Sequence, residues 1–125
     1  SLVQRDRFVF ATRRRLLASL PMVVTTASAS YQTVYGFYAK MLATANGEML
    51  IGVTASDDCD VKVSTAYGNA TLTTGGPGCI IDAITGIPVS TWFGITVDVK
   101  SNTGSPVTIW GINMQETILT AADLP

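Results

Sequence analysis

A chain of 125 residues, 47% hydrophobic and only 14% charged, is one domain, long enough to bury about two thirds of its unfolded surface without needing a metal or disulfide. Its charge content falls well below the about 25% usual for soluble domains. The apolar surplus therefore asks for burial against other subunits, and no apolar run reaches the roughly 18 residues needed to span a bilayer.

Charge is divided along the chain. Arg5, Arg7, Arg13, Arg14 and Arg15 face only Asp6 in the leading segment, whereas Lys40, Lys62 and Lys100 are set against eight acids in the remainder. A basic leading segment on an acidic body can dock on a neighbouring copy, nucleic acid or anionic lipid. On a helical wheel Leu2, Val9, Leu16 and Leu20 share a side with Val3, Phe10 and Leu17, but Asp6 and Arg13 interrupt it. The pattern fits an extended arm as well as a short helix, closed by Pro21. We expect residues 1–28 to be an arm and linker and 29–125 a sandwich domain. Phe8, Phe10, Arg13, Arg14, Arg15, Leu16 and Leu17 are the candidate subunit contact. Read so, deleting residues 1–20 leaves the sandwich folded and abolishes assembly.

Thr12-Arg13-Arg14-Arg15-Leu16-Leu17 also resembles a twin-arginine export signal, with an apolar run after it and Ala27-Ser28-Ala29 in the small-x-small form of a cleavage site. The docking arm is the preferred reading.

A short strand over 22–26 precedes one over 33–44. Asn46-Gly47 then predicts a type I′ hairpin, because both turn positions need positive φ, with 49–54 as its partner. Residues 60–65, 70–74 and 79–84 read as a meander joined by Tyr67-Gly68-Asn69 and Gly75-Gly76-Pro77-Gly78. In such a meander Cys59 and Cys79 lie two strands apart, roughly 9–10 Å, beyond the about 7 Å a disulfide tolerates. A bridge would need the outer strands in opposite sheets, and the redox compartment stays open.

The clearest pattern is 92–117, read as a central hairpin. Phe93, Ile95, Val97 and Val99 alternate with Gly94, Thr96, Asp98 and Lys100, the period of a half-buried strand. After a polar turn at 101–106, Val107, Ile109 and Gly111 on one face and Trp110, Ile112 and Met114 on the other ask for cover on both sides. A second sheet is the usual cover. The expectation is all-β: an antiparallel β-sandwich, jelly-roll-like, of about eight strands.

Histidine is absent. That removes the commonest general base, the Ser-His and Cys-His pairs and His-containing zinc sites, and Glu48 and Glu116 offer no sign of pairing, so we expect no enzyme, no cofactor and no metal. Asp57, Asp58 and Asp60 read as a turn whose carboxylates bond the backbone rather than a calcium loop. The glycines of 75–78 lack the Gly-Lys-Ser/Thr ending of a phosphate cradle. Asn69-Ala70-Thr71 matches a glycosylation acceptor. Tyr31, Tyr35, Tyr38, Tyr67, Trp92 and Trp110 read first as packing, and second as a sugar-stacking platform for which Tyr67, Asn69 and Trp92 are the candidates. Trp92 has wet-face parity and is the aromatic expected to be exposed or in a contact. Arg13, Arg14 and Arg15 beside Phe8 and Phe10 suit a subunit contact better than a nucleic-acid arm.

A compact sandwich, few charges, an apolar surplus and an arm of opposite charge together resemble the small virion structural proteins of tailed bacteriophages: capsid decoration, head or tail joints, fibre modules. The resemblance implies a non-catalytic homo-oligomer, a trimer for preference, that contacts other virion proteins and is located in the virion. The rival reading is a carbohydrate-binding sandwich taking a surface glycan, on a phage fibre or exported by a bacterium to the periplasm or medium. Neither reading involves a membrane, and nucleic acid is disfavoured.

Overall fold

The computed structural model describes residues 12–24 and 27–119, and among them there is no helix. The strands are β1 (Thr12–Leu20), β2 (Val23–Val24), β3 (Gln32–Lys40), β4 (Ala45–Ala55), β5 (Cys59–Thr65), β6 (Gly68–Thr73), β7 (Gly78–Ile84), β8 (Trp92–Ser101) and β9 (Thr108–Leu119). One sheet, A, has the order β1-β9-β4-β7, with β2 also on β9, and the other, B, has the order β3-β8-β5-β6. All pairs are antiparallel.

The pairs β5–β6, β4–β7, β3–β8 and β1–β9 nest inside one another, so the chain is a long two-stranded ribbon rolled into two facing sheets. This is a jelly roll. Each sheet turns alternate residues inward: Met49, Ile51, Val53 and Ala55 from β4 meet Val61, Val63, Ile95, Val97 and Val99 from sheet B, all buried in one core. β-branched side chains dominate because they fit the pleated, covered surface.

The rolled ribbon overturns three local expectations. Residues 92–117 are no hairpin: β8 lies in sheet B and β9 in sheet A, and the polar loop between them crosses the sandwich. Ser101 Oγ donates to Ser105 O at 2.6 Å and the Asn102 N–H donates to Asp58 O at 3.1 Å to hold that crossing. A bulge where β9 leaves register with β4 lets Ile109 and Ile112 both turn inward and puts Trp110 outside. Asn46-Gly47 is no hairpin turn either, because β3 and β4 belong to different sheets. The turn lies earlier, closed by Ala45 N–H to Leu42 O at 3.0 Å. Gly47 keeps the predicted positive φ, 79°, but uses it for close approach: a Cβ there would stand 2.7 Å from Ile87 O. The meander is half right. β5 and β6 pair, but β7 crosses to sheet A beside β4.

That crossing also places the cysteines. Both are free, Cys59 buried in the core and Cys79 exposed outside the opposite sheet. Burial pushes the Cys59 thiol pKa up; a Thr74 hydrogen bond opposes this, while Asp58, Asp60 and Asp57 add to it.

The arm boundary at residue 28 is corrected as well. Thr12–Leu20 is an edge strand of the protein's own sheet, registered from Thr12↔Leu119 to Leu20↔Ile112, and Leu17, Ala18 and Leu20 pack on the core. β2 continues along β9 after the break at Pro21, which has no N–H to give the ladder. The residues that resemble a twin-arginine motif are thus part of the sandwich wall.

Candidate functional site

The wet parity of β8 organises the outer face of sheet B. Trp92 lies opposite Lys40 of β3, Gly94 opposite Tyr38, Thr96 opposite Gly36 and Asp98 opposite Thr33. On the other side Thr96, Asp98 and Lys100 face Ser64, Lys62 and Asp60 of β5, and these face Asn69, Thr71 and Thr73 of β6. A broad, twisted, polar surface results.

Two aromatic rings stand out from it. Tyr38 is 76% exposed and Trp92 64%, although each would release free energy by burial. Between and beside them the two glycines leave the backbone bare. Tyr38 lies over Gly94, where a Cβ would sit 3.5 Å from the ring, and a Cβ on Gly36 would meet nothing within 4 Å. The floor so formed is an open depression of about 170 Å³ between β3 and β8. Lys40 Nζ lies 5.3 Å from the Trp92 ring centre.

Tyr31 lies at the far end of the face, with Lys62 Nζ 5.8 Å and Lys100 Nζ 5.1 Å from its ring centre. Thr33 Oγ1 donates to Asp98 at 2.5 Å. Asp60 accepts from Asn102 at 2.7 Å and Thr73 at 2.8 Å, with Lys100 Nζ at 3.5 Å. Burial alone would raise the Asp60 carboxyl, but hydrogen bonds from Asn102 and Thr73 and the Lys100 charge outweigh it and hold its pKa below the ordinary value. Asp57 and Asp58 spend their carboxylates within the turn, on the N–H groups of Asp58 and Gly75 and on Asn102.

The predicted platform is only partly assembled. Trp92 and Asn69 share this face, but by strand spacing and rise they are roughly 16 Å apart. Tyr67 leaves it: its ring sits edge-on to Phe93, centroids 6.4 Å apart, at the end of the sandwich. Tyr35 bonds Pro21 O through its hydroxyl and Trp110 belongs to the other sheet. The exposed ring that shares this end of the face with Trp92 is instead Tyr38, across from Gly94, whose signal was its spacing from Gly36 and Lys40 on one strand parity.

The predicted contact residues lie on sheet A. Phe8 and Phe10 are outside the described residues. Arg13 pairs with Ile118 and Arg14 with Thr117 along the backbone. Arg15 is committed within the chain: its Nε donates to Glu116 Oε1 at 2.6 Å, and the Leu42 N–H donates to Oε2 at 3.2 Å. Glu116 is fully buried. Its inward parity beside Met114 and Ile118 was the signal that a cation must answer it. Leu16 is exposed and Leu17 packs on the core. The outer face of sheet A carries its own depression of about 190 Å³, lined by Arg14, Leu50, Gly52, Ile81, Asn113 and Gln115. Ile81 is 73% exposed beside it.

No family model and no curated protein matches the chain. Among solved structures it is similar to FLHE, at 6% identity over 87% of this chain and 95% of that one, with a TM-score of 0.43. A carbohydrate-binding module, TmCBM61 in complex with β-1,4-galactotriose, is similar at 15% identity over 87% and 88% of the two chains, TM-score 0.42. A de novo designed double-stranded β-helix is similar at 9% identity over 82% and 97%, TM-score 0.38. These are likenesses of general architecture and carry no information about a ligand.

Proposed function

We propose that the protein is a non-enzymatic jelly-roll binding module that takes a glycan on the outer face of sheet B. The observation that carries this reading is the exposed pair Tyr38 and Trp92 flanking the glycine floor at Gly36 and Gly94. A sugar ring has an apolar C–H face and a rim of hydroxyls. Rings standing on the sheet meet the first, and Thr96, with Ser64 and Asp98 further along the same face, meets the second. Affinity electrophoresis through gels holding different polysaccharides tests it. Retardation in at least one gel is expected, with Trp92→Ala and Tyr38→Ala each weakening it at least about tenfold, a loss of about 1.4 kcal/mol. Retardation that ignores both substitutions would sink the reading.

A second reading, a virion structural homo-oligomer, is supported by the exposed Ile81 and Leu16 on sheet A, which give the apolar surplus an external place. The two readings are compatible in a fibre module. Light scattering tests the second: a trimer that Ile81→Asp dissociates supports it, and a monomer rejects it.

A further inference from the structure

Every lysine of the chain, Lys40, Lys62 and Lys100, stands on the outer face of sheet B, on three different strands. Sheet A has none. Lysines that serve only solubility are spread over a surface among acids, whereas these are gathered on the face that carries the exposed rings. Each ammonium also lies near a ring, Lys40 at 5.3 Å from the centre of Trp92 and Lys62 and Lys100 at 5.8 and 5.1 Å from that of Tyr31, so positive charge stands beside the rings.

Acids on the face answer only part of that charge. Lys100 lies 3.5 Å from Asp60. Asp98 lies directly across from Lys62 and accepts from the Thr33 hydroxyl, so its charge offsets part of that of Lys62 without an ion pair. Among the described residues, Lys40 and Lys62 have no carboxylate within ion-pair distance. Lys40 is level with Trp92 and Lys62 with Asp98, so the backbones of the two lysines are about 20 Å apart along the strands.

We propose that the glycan is acidic, carrying carboxylate or sulfate groups at intervals, one meeting Lys40 beside Trp92 and another meeting Lys62 beside Tyr31. This rests on the stacking site proposed above and adds the charge of its ligand. A single-stranded nucleic acid also offers flat faces and anions, but it bears a charge on every unit and calls for an unbroken basic track. Asp60 and Asp98 interrupt any such track here. Sparse charge on a hydroxyl-rich chain fits better, since those carboxylates can then accept from sugar hydroxyls.

The test is an array of matched pairs probed with the full chain: polygalacturonate beside its methyl ester, chondroitin sulfate beside its desulfated form, and oligothymidylate as a third kind of polyanion. The acidic member of at least one pair is expected to bind at least about tenfold more tightly than its neutralised partner, and which pair responds separates carboxylate from sulfate. Lys40→Ala and Lys62→Ala should each weaken the acidic member by about fivefold, more than they weaken the neutral one. Raised salt should remove the preference. Equal binding within both pairs, still abolished by Trp92→Ala, overturns the acidic ligand and leaves the stacking site standing. Binding indifferent to Trp92→Ala, or none to any glycan, overturns both. Tighter binding to oligothymidylate than to every glycan makes the face a nucleic-acid surface.

Discussion

The two outer faces of the sandwich share one fold and differ in what they leave in water. Sheet B shows Trp92 and Tyr38 over a glycine floor, with all three lysines and a fringe of hydroxyls and carboxylates. Sheet A shows Leu50 and Ile81 around Gly52 with Arg14, Asn113 and Gln115 beside them, Leu16 and Trp110 exposed elsewhere on it, and Arg15 at its edge answering the buried Glu116. The inward faces are alike, because both must fill one core. Outer positions are free of that demand, and here chemistry separates: one face gathers lysines, carboxylates and hydroxyls around Trp92 and Tyr38, the other sets apolar Leu50 and Ile81 beside Arg14, Asn113 and Gln115.

The sharpest way to break the comparison is to remove residues 1–20. Sheet A then loses β1, the packing of Leu17 and Leu20, and the partner of Glu116. A fall in Tm of at least about 10 °C by circular dichroism is expected, and an unchanged melt would return the segment to the role of a detachable arm.

Single substitutions sharpen the contrast. Arg15→Ala leaves a buried carboxylate without its cation. Breaking a buried pair costs about 3–5 kcal/mol, reduced to about 2 kcal/mol because the Arg15 side chain is 44% exposed and screened by water. Trp92→Ala, on the open face, should move stability by no more than about 0.5 kcal/mol. Urea denaturation of the two variants side by side checks both figures. If Trp92→Ala proves the costlier, the ring is structural.

Gly94→Val keeps the strand, and β-branched side chains suit it. Its Cβ would stand in ordinary contact with Tyr38, so the methyl groups fill the floor. Glycan affinity should drop about tenfold with the melt unmoved, and undiminished affinity would show that the depression takes no part.

The smallest effect is in acid. The Asp60 carboxyl titrates below its ordinary value in the fold, so its contribution to stability is complete above the unfolded pKa, about 4, and is lost as pH falls through the lower folded value. Asp60→Asn should flatten that part of the stability curve between pH 5 and 2, about the range a depressed carboxylate governs. An unaltered slope would mean that Asn102 and Thr73 hold the carboxyl no better than water does.

Fold class was legible because period-2 alternation is local: Phe93 to Val99 and Val61 to Val63 declare an inner face without reference to any partner. Pairing was not, because a jelly roll joins its strands across the sandwich, and at Asn46-Gly47 only Gly47 takes the positive φ that a type I′ hairpin asks of both residues, using it in a sheet crossing. The arm misled for a related reason. Arg15 reads as a docking charge until Glu116, distant in sequence, is seen buried opposite it. Of the site, the exposure of Trp92 followed from parity, whereas its pairing with Tyr38 depends on β3 lying beside β8, a contact no local pattern announces.

The most direct test of the central claim compares one substitution on each face. Trp92→Ala on sheet B and Ile81→Asp on sheet A are applied to a glycan that binds the unaltered chain, and affinity is read by titration calorimetry. Loss with Trp92→Ala and retention with Ile81→Asp is the result predicted. Loss with Ile81→Asp and retention with Trp92→Ala would place the ligand on the other sheet and contradict the division of the two faces.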